Sequence, residues 1–249
     1  PTPETIRECL SIYVFLQEKG FRHSPKLGRT RSGETFVRTE THTLFLLEWI
    51  EGSHPRATAA LWAAVGRVLA RLNTMTDFPY PTHPDVLGAI ELMHEWAQEY
   101  PFREAFVKLL DRLVVLADQP ASLIHGEVHN DNFVRTPEGK IYLLDLEGIG
   151  TGPTVLEAGY PLICCFVDEP RHAEAPDEIH FHRSWAQAFY AAYTGGAGMS
   201  AGQKELVFTA ALFPAMWYLN MGGTLQQRWA QICYALEHKD RLLTAIPSQ

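Results

Sequence analysis

Apolar and polar positions alternate in three different rhythms along the chain, and each rhythm predicts its own elements. Residues 3–19 place Ile6, Leu10, Tyr13, Val14 and Leu16 near a helical period and stop at Gly20, which predicts an amphipathic helix. Residues 34–39 and 43–49 follow the turn-rich segment 29–33 and predict two strands, the second carrying the nearly unbroken apolar run LFLLEWI. From residue 55 to 73 the spacing of Leu61, Val65, Val68, Leu69 and Leu72 is helical again. A proline-rich connector at 80–84 precedes helices at 86–100 and 102–116, and four more helical patterns lie at 155–167, 178–193, 203–213 and 225–243. The pattern predicts an α+β protein of two unequal lobes. A small N-terminal lobe, residues 1–52, holds one helix and a small antiparallel sheet; residues 53–249 form a mainly helical body with one hairpin set into it.

That hairpin lies in the segment 122–152, SLIHGEVHNDNFVRTPEGKIYLLDLEGIGTG, where polar groups crowd between short apolar runs. Segments 133–136 and 140–146 flank Pro137, Glu138 and Gly139, residue types that set the dihedrals of a tight turn. A turn centred between 138 and 139 sets Asn132 opposite Asp145, with Cβ atoms about 4.5–5.5 Å apart. An amide oxygen beside a carboxylate is a pair of hard donors suited to Mg²⁺, which takes one or two protein oxygens and leaves its other positions to water and phosphates. His125, Glu127 and His129 add a carboxylate and two imidazoles. Two histidines four apart around a glutamate invite a zinc-hydrolase reading. Gly126 stands where that motif has its glutamate, however, and Asn130 and Asp131 favour a loop over a helix. His180 and His182 read as part of a solvated helix face, and most aromatics of the C-terminal half read as core.

Composition narrows the function classes. With 21 basic against 29 acidic residues the net charge is −8, the wrong sign for a nucleic-acid partner. No apolar run approaches the roughly 20 residues needed to span a bilayer, and no secretory leader pattern opens the sequence, so a cytoplasmic protein without a membrane partner is expected. Cys9, Cys164, Cys165 and Cys233 lack C-x-x-C spacing, which speaks against a zinc knuckle or a disulfide framework.

The spacing His125-x-Glu127-x-x-x-x-Asn132, followed by a hairpin ending in Asp145, resembles the catalytic loop and metal-binding aspartate of protein kinases. The wording LIHGEVHNDN, then YLLDLEGIGTGP, is closer still to the aminoglycoside phosphotransferase and choline kinase superfamily, whose typical text is HGDLHPGN followed by IDFE. GFRHSPKLGRTRSGETFV and LFLLEWIEG resemble that family from the end of its C helix through its hinge, nearest to the spore-coat-type bacterial branch. The resemblance implies a protein-kinase-like fold and ATP-dependent, Mg²⁺-assisted phosphate transfer to a hydroxyl of a small molecule. It gives Glu127 the catalytic-base position and His125 a bracing role in the same loop. It gives Asn132 and Asp145 the metal, Glu48, Trp49 and Ile50 the hinge that pairs with adenine, and Glu8 the C-helix glutamate. Two departures stand out. The family has aspartate where this chain has Glu127, and the Gly-rich loop and lysine strand that precede its C helix have no counterpart in these residues. A fragment, or a chain without that lysine, are both expected from this. A kinase-like binding protein without turnover is therefore the alternative to an active phosphotransferase.

Overall fold

The structure, a computed structural model, describes residues 2–82, 84–170, 179–220 and 225–249. It begins with α1 (Pro3–Glu18), where the Thr2 hydroxyl accepts from the Thr5 N–H at 3.2 Å and Pro3 occupies the first turn, which has no intrahelical use for an N–H. Ile6, Leu10, Ile12, Tyr13 and Leu16 are its buried face. A ribbon of two short strands follows, β1 (Val37–Arg38) and β2 (Thr43–Leu44), paired antiparallel. The strands are shorter than the apolar run predicts. Beyond them the chain pairs elsewhere: Gly28 donates to the Leu46 carbonyl at 2.7 Å and Glu48 to the Lys26 carbonyl at 2.8 Å.

The helical body starts with α2 (Ala59–Leu72), capped by Thr58, and α3 (Val86–Trp96), capped by Asp85; α4 (Arg103–Leu113) follows. The connector before α3 behaves as a strand edge, since Pro81 bridges Thr151 and Thr82 donates to the Thr151 carbonyl at 3.1 Å. His83, inside that connector, is outside the described residues.

Two antiparallel pairs frame the polar centre. β3 (Ala121–Ile124) pairs with β6 (Gly150–Pro153), from Ala121↔Pro153 to Ile124↔Gly150. Between them lies the hairpin of β4 (Phe133–Arg135) and β5 (Ile141–Leu143), with Phe133↔Leu143 and Arg135↔Ile141. Ser53 and Arg135 exchange backbone hydrogen bonds at 3.0 and 3.1 Å and so tie the end of the ribbon to this hairpin.

The second half is helical. α5 (Thr154–Cys164) packs along α7 (Ala201–Trp217), and α6 (Arg183–Tyr193) packs along α2. α5 and α7 approach closely at Gly159, where a Cβ would stand 2.7 Å from Ala210 backbone and side-chain atoms. The Trp62 ring of α2 joins the layers, meeting Phe133, Phe166 and Phe189 edge-on with centroids 6.2, 4.9 and 6.2 Å away. Two helices, α8 (Leu225–Glu237) and α9 (Lys239–Leu243), stand where one pattern is predicted, with a break at His238.

The predicted helix at 178–193 is shortened. Glu178 lies outside the described residues, and 179–182 are extended, with buried Ile179 and Phe181 alternating with His180 and His182. The two histidines are thus not on a helix face; His182 is paired with Asp168 at 2.7 Å and stacks on Trp185. The four cysteines are free thiols. Among the described residues no helix is long and apolar enough to cross a membrane.

Candidate functional site

β3 delivers the chain into the loop His125 to Asn132, and the hairpin returns it to Asp145. The return register differs from expectation by one residue. Thr136 donates to the Lys140 carbonyl at 2.9 Å and Gly139 to the Thr136 carbonyl at 2.9 Å, with Gly139 at φ +86°, so the turn is a three-residue loop centred on Glu138. Asn132 therefore faces Leu144, whose N–H donates to the Asn132 carbonyl at 2.8 Å, and Asp145 is one residue further on. In a regular strand a one-residue shift would send Asp145 to the opposite face. Asp145 instead adopts a left-handed conformation, φ 55° and ψ 56°, and among the described residues it is the only non-glycine with positive φ. The strand ends there, and Asp145 lines the same cavity as His125 and Glu127.

The loop is held from inside. His125, 3% exposed, donates from Nε2 to the Leu144 carbonyl at 2.9 Å and accepts at Nδ1 from the Glu127 N–H at 3.4 Å. Burial holds its pKa below the usual imidazole range, against the opposing pull of the Leu144 carbonyl, so the ring is neutral and its tautomer fixed. Asn132, 6% exposed, donates from Nδ2 to the Glu127 carbonyl at 3.0 Å, which leaves its amide oxygen as the acceptor available for a metal.

Two further groups escaped the sequence reading. Glu157 of α5 is fully buried, and its carboxylate accepts from the backbone N–H groups of His125, at 3.0 and 3.1 Å, and Gly126, at 3.0 Å. Burial pushes its pKa up to about 7, against the lowering effect of those N–H donors and of the Asn73 amide. Asn73 itself donates to the Leu123 carbonyl and accepts from Tyr193, so a buried polar cluster underlies the start of the loop. A lone carboxylate in the apolar run VLEAGYPL was the available signal.

The second group is Tyr218, just past α7. Its hydroxyl donates to Glu127 Oε1 at 3.1 Å and accepts from the Tyr160 hydroxyl at 3.1 Å. Burial raises the Tyr218 pKa above the ordinary phenol value, so it remains a donor at neutral pH. Nothing local in the sequence ties position 218 to position 127.

Glu127 and Asp145 are both exposed to a cavity of about 320 Å³ whose remaining lining comes mainly from α3, α5 and α7. The other nominated residues lie apart from it. Glu48, Trp49 and Ile50 are not among its described lining residues, and the Glu48 N–H is already spent on Lys26. Glu8 is exposed on α1 and lines a separate pocket of about 640 Å³ with Arg7 and Tyr80. Among the described residues no cluster of three or more His, Cys, Asp or Glu side chains is placed to hold a metal. Asn132, which is not among the described lining residues of the cavity, and Asp145, which is, offer an amide oxygen and a carboxylate, donor types that suit Mg²⁺ when phosphates and water complete its shell.

Similarity to known proteins agrees with this architecture. The chain is similar in structure to an aminoglycoside phosphotransferase from Alicyclobacillus acidocaldarius, with a TM-score of 0.64 at 18% identity over 98% of this chain and 83% of that one. It is also similar to a choline kinase from Cryptosporidium parvum, with a TM-score of 0.61 at 12% identity over 95% and 78% of the two chains. A Plasmodium vivax ethanolamine kinase aligns with a TM-score of 0.56 at 11% identity over 92% and 71%. No curated protein matches the chain. These likenesses establish a protein-kinase-like fold. The model of the phosphotransferase enzyme family matches residues 1–200, and the chain belongs to that family.

Proposed function

We propose that the protein transfers the γ-phosphate of ATP to a hydroxyl of a small molecule. The observation that carries the reading is that Glu127 and Asp145 open onto one cavity from a loop and a hairpin fixed by buried hydrogen bonds. Glu127 accepts the proton of the acceptor hydroxyl as its oxygen bonds to the γ-phosphorus and the bond to the departing ADP breaks. A glutamate is one methylene longer than the family's aspartate, and about 1 Å of misplacement costs roughly a hundredfold in rate. Tyr218 answers this by holding Oε1 from behind, which leaves Oε2 for the acceptor. His125 and Glu157 keep the loop backbone in place, and Asn132 and Asp145 would hold Mg²⁺ against the nucleotide phosphates. The ion would neutralise charge on those phosphates during transfer. Trp49 and Ile50, with Glu48, are the proposed adenine edge.

A second reading, ligand binding without turnover, draws on one observation: no lysine or arginine is among the described lining residues of the cavity to meet the phosphates. One assay separates the two. Purified protein given radiolabelled ATP, Mg²⁺ and an acceptor panel is expected to label an acceptor, and Glu127→Ala is expected to lose at least about a hundredfold in rate. Asp145→Asn should abolish the Mg²⁺ dependence of nucleotide binding. Mg²⁺-dependent ATP binding with no labelled acceptor would favour the second reading, and no ATP binding at all would end the first.

A further inference from the structure

The cavity beside Glu127 also carries information about what enters it. Its volume of about 320 Å³ lies at the lower end of the roughly 300–1,000 Å³ of small-molecule sites. Its described charged lining groups are Glu127 and Asp145, both at the transfer end. Away from them the wall is made by Val86, Ala89, Ile124, Leu156, Phe213 and Trp217. The polar groups that remain are mostly committed. Tyr160 donates to Tyr218 and Tyr218 to Glu127, while both ring nitrogens of His125 are spent on Leu144 and Glu127 backbone atoms.

A polycationic sugar would bring several ammonium and hydroxyl groups to a wall with few partners for them, and an unpaired buried polar group is costly. A single ammonium could rest on aromatic faces. Here, however, the Arg228 guanidinium already lies over the Tyr218 ring, 5.7 Å from its centroid, and the Trp217 ring packs on Trp96 at 4.9 Å. A cation on the Tyr218 ring would share it with a guanidinium already paired to Glu169 at 3.9 Å, and the pull of Glu127 and Asp145 acts at the transfer end, away from the apolar wall. An anionic body would face the two carboxylates with no lysine or arginine among the described lining residues.

We propose that the acceptor is an uncharged alcohol with an apolar body, aromatic or aliphatic, seated between α3, α5 and α7 with its hydroxyl at Glu127. The proposal rests on the reading of Glu127 and Asp145 as the transfer end. Calorimetric titration of the whole chain with phenethyl alcohol, choline and gentamicin, with and without a non-hydrolysable ATP analogue, tests it. Phenethyl alcohol is expected to bind at least about tenfold more tightly than either cation, since apolar burial is its main gain and desolvation their main cost. Ala89→Leu, which fills the wall, and Phe213→Ala, which strips it, should each weaken that binding about fivefold or more, with thermal melting to certify folding. Tighter binding of choline or gentamicin, no saturable binding of the alcohol, or wild-type affinity in both folded variants would overturn the proposal. Alcohol binding without transfer to it or to any other acceptor would overturn the proposal together with the phosphotransfer reading, because a bound alcohol that receives no phosphate is not an acceptor. Transfer to gentamicin or choline in preference to the alcohol would overturn the proposal and leave the phosphotransfer reading standing.

Discussion

The segment 121–157 and the ribbon at 26–52 are each built from short antiparallel pairings, and they are held in opposite ways. In the first, Leu123, Ile124, Phe133 and Leu143 are buried, and the polar groups His125, Asn132 and Glu157 lie beneath the surface with named partners. In the second, β1 and β2 have two residues each, and Val37, Leu44, Phe45, Leu46 and Trp49 are exposed, Trp49 to 89%. The exposed carboxylates of Glu127 and Asp145 rest on buried backbone, and Glu127 has the Tyr218 hydroxyl besides. The ribbon has backbone pairing with little core beneath it.

The sharpest way to break this contrast is to remove the underlying anchor. Glu157→Ala leaves the His125 and Gly126 N–H groups buried without an acceptor, and urea denaturation should report a loss of about 3–5 kcal/mol. A loss near zero would mean that the loop is held by packing alone. The same anchor should have a pH signature. Because the folded-state pKa of Glu157 is raised to about 7 from 4.5, the folded protein binds the proton more tightly than the unfolded chain. Its contribution to stability is complete below about pH 4.5 and is lost as pH rises through 7, by about 3 kcal/mol at most. Glu157→Gln cannot titrate, so the stability difference between wild type and this variant should move in the variant's favour across that interval; a flat difference would contradict the assignment.

Smaller effects sharpen the comparison. Tyr218→Phe removes a donor to an exposed carboxylate, so kcat should fall about tenfold with KM little changed, an effect of about 1.4 kcal/mol on the barrier. A change confined to KM would mean that Tyr218 serves only as cavity wall. Smallest of all, Trp49→Ala should alter stability by no more than about 0.5 kcal/mol, because the side chain is exposed. A larger effect in the denaturation midpoint would show that the ribbon is better supported than its burial implies.

The parts of this picture that were legible in the sequence are those set by local chemistry. The helix of Ile6, Leu10, Tyr13 and Leu16 and the turn at Pro137 to Gly139 follow from periodicity and from the dihedral habits of proline and glycine. The exact register did not follow, because it depends on whether Gly139 takes positive φ and closes a three-residue loop. The apolar run LFLLEWI reads as a longer strand than forms, since periodicity reports hydrophobicity and not the partner available to pair with it. Glu157 and Tyr218 were missed for another reason. Their partners are 31 and 91 residues away, and only the packing of α5 and α7 brings them to the loop.

The hold of β3 on β6 and of Glu157 on His125 and Gly126 has a topological consequence. The chain from 121 to 157 is a closed circuit whose two ends are pinned together, while its far point, Pro137 and Glu138, is exposed. Extra residues threaded into that far point would lengthen a loop already closed, and doubling such a loop costs only about 0.6 kcal/mol in entropy. The hairpin tip is thus a permissive port: a peptide tag or fluorophore placed there would ride on the β4–β5 hairpin, at residues that are not among the described lining of the cavity.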